Sequence, residues 1–159
     1  MRIGMRYIVG VWMGVMVGCS SGPTDLPAEL ATAVAGDTID VTAGEYIGNF
    51  VVPAGVALEG EEGAVIRGAA GGPALTLMPG SSADEATSIK GLTIHTEEVG
   101  VFAAGSGYVA MEDVSVHATL GMAVVLDDCS ASLINVDLVG AIDGPQSSAL
   151  MLGTLFESD

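Results

Sequence analysis

The feature that most constrains the fold is a pattern that recurs three times at a spacing of 22 residues. The copies begin at Ile89, Met111 and Leu133. In each copy, apolar residues occupy the first, fourth and sixth places, and a small or polar residue takes the fifth. This alternation has a period of two, which is typical of a β-strand and not of a helix. A fixed period of this length marks a stacked repeat, so each copy is predicted to form one coil of a β-solenoid and to pair in parallel with the next.

The repeat also predicts which side chains face the interior. The residues in the fourth place, Leu92, Val114 and Val136, should form a single interior column. Further strands are predicted within 100–104 and 121–126. The loops before these two strands differ in length by one residue. The sequence therefore leaves two alternatives, one position apart, for which side chains of these strands point inward.

Composition agrees with a narrow solenoid core. Of 159 residues, 50% are hydrophobic and only 4% aromatic, and 23 are glycine. Such a mixture suits an interior of Val, Ile, Leu and Ala between tight turns. The length fits one domain.

The charge is strongly negative, with 20 acidic residues against 4 basic ones and a net charge of −16. Two of the basic residues, Arg2 and Arg6, lie in the predicted leader described next, and their removal would change −16 to −18. Binding to nucleic acid depends on Lys and Arg, so we expect no nucleic-acid partner. The acidity is interpreted as a solubilising surface.

The first 18 residues have a basic start followed by the apolar run 7–18. The run is shorter than the ~20 residues that span a bilayer, and it predicts a signal peptide over 1–18. The sequence Val17-Gly18-Cys19-Ser20-Ser21 that follows resembles the lipobox of bacterial lipoproteins, although Met16 stands where that family prefers Leu. The resemblance implies cleavage before Cys19, lipidation of Cys19, and a membrane anchor in the cell envelope at the outer membrane, periplasmic or surface-exposed. An ordinary signal peptide with an incidental cysteine is the alternative.

Residues 19–26 are predicted to be a tether, because they are rich in Ser, Gly and Pro. A capping helix is predicted over 27–35, with Pro in its first turn and Leu30, Ala33 and Val34 on one face. Gly36 should end this helix. Such a helix would cover the open end of the first coil.

The stretches 36–46 (GDTIDVTAGEY) and 56–68 (VALEGEEGAVIRG) resemble the opening coils of the pectin-lyase-like superfamily. The resemblance implies an all-β fold, a right-handed parallel β-helix of about five coils over 27–159. No closing helix or polar last coil is recognisable before Asp159. We therefore expect a chain truncated at its C-terminal end, or one whose open end is covered by a partner or a second copy.

Two polar ladders are predicted on the outer face. His95 and His117 share one repeat position and should lie about 4.8 Å apart. The fifth-place residues form the other ladder: Thr93, Ser115 and Asp137. Two imidazoles could share a metal ion, but no cysteine or carboxylate falls in their register. No metal site and no cofactor are therefore predicted, and the ladders are interpreted as an outer surface with a binding role.

Asp113 and Asn135 occupy another shared position, together with Gly91. Asx side chains bond to turn backbones, so these residues are predicted to form a structural turn ladder. Cys129 is predicted to be a buried small side chain, since lipidation of Cys19 would leave it without a disulfide partner.

No catalytic residue is predicted. The lyases that the sequence resembles use a basic group, and Arg67 and Lys90 have no acid cluster in register. The methylesterases use a glutamine in a GQAVAL stretch, and the corresponding 121–126 carries Met122, whose thioether cannot donate a hydrogen bond.

The sequence therefore predicts a cell-envelope lipoprotein with a non-catalytic β-helix module that binds a glycan or an envelope protein. The alternative is a truncated relative of a polysaccharide lyase or pectin methylesterase that acts on acidic polysaccharide.

Overall fold

The computed structural model describes residues 24–140 and 151–152, and within them the chain winds in five coils of three short strands. The first coil contains β1 (Thr38–Val41), β2 (Gly44–Ile47) and β3 (Phe50–Val52), and the second contains β4 (Ala57–Gly60), β5 (Ala64–Arg67) and β6 (Leu75–Leu77). The third coil contains β7 (Thr87–Lys90), β8 (Thr93–Thr96) and β9 (Val101–Ala104). The fourth contains β10 (Tyr108–Glu112), β11 (Ser115–Ala118) and β12 (Val124–Asp127), and the fifth contains β13 (Ser130–Ile134), β14 (Asp137–Val139) and β15 (Met151–Leu152).

Corresponding strands of successive coils pair in parallel and build three five-stranded sheets. The first sheet has the order β1-β4-β7-β10-β13, the second β2-β5-β8-β11-β14, and the third β3-β6-β9-β12-β15. Each strand thus hydrogen-bonds to the strand one coil above and one coil below it, as parallel ladders require. The predicted all-β solenoid of about five coils is confirmed.

The 22-residue spacing is the register of the last three coils. In the first sheet Met111 pairs with Ile89 on one side and Leu133 on the other. In the second sheet Val116 pairs with Ile94 and Leu138. The offset is larger before the repeat, where Ile89 pairs with Leu58, because the chain between them makes an extra loop that includes a 3-10 turn, Ala83–Glu85.

The third sheet settles the open question of its inward-facing residues. Val124 pairs with Val101, an offset of 23 residues, so the extra residue lies in the preceding bend and the two strands remain in phase. Their inward side chains are buried and the central residues, Phe102 and Val125, face outward and are half-buried.

The core is one continuous cluster of mostly aliphatic side chains inside the coils. Leu92 and Val114 are buried, and Val136 packs against the same core in the last coil while remaining half-exposed. The interior column predicted from the repeat is therefore confirmed. Alternation of buried and exposed residues along each strand follows from the pleat.

A helix, α1 (Leu26–Thr32), precedes the first coil and packs against its strands β1 and β3. This packing buries Leu26 and Leu30. Asp25 caps it by accepting a hydrogen bond from the Ala28 N–H at 3.3 Å. The helix is shorter than the predicted 27–35, and Val34, expected on the packed face, is 64% exposed. The cause is local, because Ala33 has extended backbone and the Asp37 carboxylate accepts from the Val34 N–H at 2.9 Å.

The predicted tether, 19–26, overlaps the fold at its end. The Thr24 hydroxyl donates to the Asp40 carbonyl oxygen at 2.8 Å. The predicted signal peptide and Cys19 lie outside the described residues. Within the described part of the chain no helix has the length and apolar character needed to cross a bilayer.

Candidate binding cleft

The outer face of the second sheet carries two rows of side chains, each with one residue from every coil. The backbone pairing of parallel strands determines which residues stand next to one another in each row. One row contains Glu45, Val65, Thr93, Ser115 and Asp137, and the other contains Ile47, Arg67, His95, His117 and Val139. The structure therefore brings the residues of each predicted ladder side by side, and it adds Arg67 and Glu45 to the rows.

His95 and His117 form a close pair in the second row. Their ring centroids lie 5.1 Å apart, and the ring planes are tilted by 34°. Both side chains are half-buried, in contrast to a fully exposed ladder. Ser115, which precedes His117 by two residues on the same face, has its Oγ 2.9 Å from His117 Nε2. This hydroxyl fixes the orientation of one ring of the pair.

The surroundings of His95 disfavour its protonated form. Burial lowers the pKa of the His95 imidazole, and the neighbouring His117 and Arg67 act in the same direction. Glu45, from the other row, opposes this shift. His95 therefore presents a neutral ring near neutral pH.

The histidine pair lies in a cleft of about 370 Å³. One wall is the loop that follows β5, and the other is the bend that follows β8. The lining residues are Arg67, Gly68, Ala69, Ala70, His95, Thr96, Glu97, Glu98, His117 and Thr119. A concave site with a few converging polar groups is the usual form of a ligand site.

Two carboxylates reach this cleft from the bend between β8 and β9. Glu97 and Glu98 are exposed, and the Glu98 carboxylate accepts a hydrogen bond from the Gly71 N–H of the opposite wall at 3.2 Å. The Glu98 N–H donates to the hydroxyl of Thr96 at 3.2 Å, which holds the start of the bend. The sequence predicts Glu97 and Glu98 to be a solvated acidic pair at a turn and does not assign them to a site with the histidines, because they follow His95 along the chain and do not share its register.

Arg67 and Lys90 each have an acidic partner one coil away, which the sequence analysis did not predict. Arg67 Nε lies 2.6 Å from Glu45 Oε1, and Lys90 Nζ lies 2.7 Å from Glu112 Oε1. The hydrogen bond from Lys90 to Glu112 raises the pKa of the lysine. About half of each of these side chains is exposed, so the pairs contribute little to stability and mainly neutralise charge.

The turn positions 113 and 135 are bonded to each other. The Asn135 side-chain amide donates to the Asp113 carboxylate at 3.0 Å, across one coil. Both residues have left-handed backbone, with φ of 53° and 52°, and Gly91 in the coil above has φ of 65°. This row lies at the bend between the first and second sheets, away from the cleft.

Cys129 is buried between the third and first sheets. Burial raises the pKa of its thiol, which favours the unreactive protonated form. Cys129 does not line the cleft, and the prediction that its side chain is buried is confirmed.

The cleft combines the two imidazoles, hydroxyl groups, a guanidinium that is paired with Glu45, and two carboxylates without a cationic partner among the described residues. Within 24–140, no group of three or more His, Cys, Asp or Glu side chains is arranged to hold a metal ion. Comparison with known proteins gave no match, since no family model, curated protein or solved structure is detectably similar to this chain.

Proposed function

We propose that the protein is a cell-envelope lipoprotein whose β-helix is a non-catalytic binding module, with the cleft on the second sheet as its binding site. The observation that carries the proposal is the convergence of both histidines, Arg67 and the carboxylates of Glu97 and Glu98 on one concave surface. The ligand class proposed first is a glycan segment, and a loop of an envelope protein is the second.

A glycan suits the chemistry of the lining. Sugar hydroxyl groups both donate and accept hydrogen bonds, and the cleft offers donors on Arg67 and Thr119 beside carboxylate acceptors. The cleft is open along the flank of a solenoid, so an extended chain could pass through it. A neutral sugar avoids the repulsion that the strongly acidic surface would exert on a polyanion.

Binding of the purified chain to a panel of neutral, amino and acidic oligosaccharides tests the proposal. Arg67→Gln and His117→Asn should weaken binding of any ligand that the wild type retains. Lys90→Gln is the matched control, because Lys90 has the same kind of glutamate partner but lies on the first sheet. Equal binding by Arg67→Gln and Lys90→Gln would place the ligand elsewhere.

The lipid anchor is proposed from Cys19 and the residues around it. Stable anchoring takes more than one acyl chain, and lipidation of the kind that the lipobox implies supplies several. Expression in a bacterium with labelled palmitate should give a labelled protein in the membrane fraction, and Cys19→Ser should be unlabelled. A wild type without label would contradict lipidation of Cys19 and favour an ordinary signal peptide.

Kinship with the pectin-lyase-like superfamily is also a proposal, supported by the parallel three-sheet solenoid. It makes an enzyme acting on acidic polysaccharide the rival function. Turnover assays on polyuronates with calcium should show no product release. Turnover by the wild type that is lost in Arg67→Gln would contradict the binding function and support a lyase or esterase.

A further inference from the structure

We propose that His95 and His117 chelate a transition-metal ion with a preference for imidazole, such as Zn²⁺ or Ni²⁺, and that Glu97 or Glu98 completes the site. The proposal goes beyond glycan or protein binding and does not depend on the lipid anchor. In this proposal the cleft binds a metal ion even when no glycan or protein ligand is present.

The two imidazoles are already positioned as neighbours. Parallel pairing places His95 directly opposite His117, and their ring centroids lie 5.1 Å apart with tilted planes. Because the backbone holds this spacing through the whole sheet, little conformational freedom remains to be lost when both rings bind one ion. Pre-organisation of this kind distinguishes a chelating pair from two separate surface histidines.

A neighbouring hydroxyl group supports the geometry of one ligand. Ser115 Oγ lies 2.9 Å from Nε2 of His117, so a hydrogen bond holds this ring in one orientation and leaves Nδ1 as the nitrogen for a metal ion. Metal-bound histidines are commonly oriented through a second group that bonds to the ring nitrogen not on the metal. Ser115 occupies that position here.

The local charge favours a cation. The positive charge of Arg67 is partly offset by Glu45 at 2.6 Å. Glu97 and Glu98 border the same cleft, and among the described residues neither has a basic partner. A divalent ion would neutralise these two carboxylates, and the acidity of the whole chain would raise the local concentration of cations.

The ligand types select the class of metal. Imidazole is a good ligand for Zn²⁺, Ni²⁺ and Cu²⁺, whereas Ca²⁺ and Mg²⁺ require several oxygen ligands. Only two of the ligands are in place, since no described group of three is arranged to hold a metal. The third must come from rotation of an exposed glutamate, and water would fill the remaining positions. The site is thus expected to bind more weakly than the four-ligand zinc sites of folded domains.

The experiment is a calorimetric titration of the full chain, prepared without a polyhistidine tag, with Zn²⁺, Ni²⁺ and Ca²⁺. We expect Zn²⁺ and Ni²⁺ to bind with one ion per chain and to raise the melting temperature. His95→Asn and His117→Asn should each lose this binding, and Ser115→Ala should weaken it by about tenfold. Lys90→Gln should bind as the wild type does, and Ca²⁺ should not compete.

A second measurement keeps the proposal testable if an asparagine variant fails to fold. The chain has only two histidines, so their ring protons give two sets of NMR signals in the wild type. Substoichiometric Ni²⁺ should broaden both sets together. Absence of Zn²⁺ and Ni²⁺ binding by the wild type, or broadening of one histidine alone, would overturn the chelating pair. Neither outcome bears on the glycan panel, so the two proposals fail separately.

Discussion

At the residue scale, Asp113 and Asn135 show how one backbone conformation selects residue types along the solenoid. The bend between the first and second sheets requires left-handed backbone in each of the last three coils. That conformation costs about 1–2 kcal/mol for most L-residues, and Gly, Asn and Asp tolerate it best. The sequence has Gly91, Asp113 and Asn135 at these three positions, and the 3.0 Å bond between the last two offsets part of the cost.

Substitution of Asn135 separates backbone conformation from the side-chain bond. Asn135→Ala should lower the free energy of unfolding by about 1–2 kcal/mol, because it loses the bond to Asp113 and keeps the unfavourable φ. Asn135→Gly loses only the bond and should cost less. Urea denaturation of both variants measures the difference. Equal losses would mean that the left-handed conformation contributes nothing to the effect.

At the element scale, the coils are held together by aliphatic columns more than by ion pairs. Leu92 and Val114 are almost completely buried, whereas Val136 in the fifth coil is only half-buried. The cost of removing methyl groups depends on burial and on the cavity that remains. Truncating a side chain of this column should therefore cost more free energy of unfolding in the third and fourth coils than in the fifth.

Truncation of Leu92 to Ala should reduce the free energy of unfolding by about 2–5 kcal/mol. Val136→Ala should have a clearly smaller effect, because solvent already reaches its side chain. Thermal or chemical unfolding of the two variants checks this order. A larger loss for Val136→Ala would contradict the placement of Leu92 at the centre of the core.

The bend that bears Glu97 and Glu98 depends on a close approach at Gly100. A Cβ atom at this position would collide with Cγ1 of Val116 and the carbonyl oxygen of Ala123, in the adjacent coil. Gly100→Ala should therefore destabilise the fold by about 1–3 kcal/mol.

Gly72→Ala is the control for Gly100→Ala, since its Cβ would meet only the Asn49 side-chain amide nitrogen, at 3.3 Å. Melting temperatures of the two variants give the comparison. Similar values for Gly100→Ala and the wild type would show that the bend can move away from the core.

At the scale of the whole molecule, the repeat was sufficient to predict the register of the last three coils but not the cleft. In parallel strands of this repeat, residues 22 positions apart pair, so the sequence alone places His95 beside His117. The cleft depends on bends, whose lengths vary from coil to coil and have no period. Glu97 and Glu98 belong to such a bend: their place in the chain puts them near His95, but the register could not show that they line one cleft with His117.

The partners of Arg67 and Lys90 were missed for a different reason. Each basic residue bonds to a glutamate in an adjacent coil, 22 residues away in the chain. For Lys90 that partner is in the repeat and could have been found from the pairing of positions 90 and 112. For Arg67 the partner lies in the other outer row, so the contact is diagonal between coils and does not follow from the register.

Proton NMR of the two imidazoles tests the stacking of coils and the composition of the cleft together. With ring centroids 5.1 Å apart, ring protons of His95 and His117 should show a nuclear Overhauser effect, and His117→Asn should shift the His95 signals. The same effect should persist in Lys90→Gln. Two well-resolved histidines without a mutual Overhauser effect, and a His95 spectrum unchanged by His117→Asn, would contradict the parallel register on which the cleft is built.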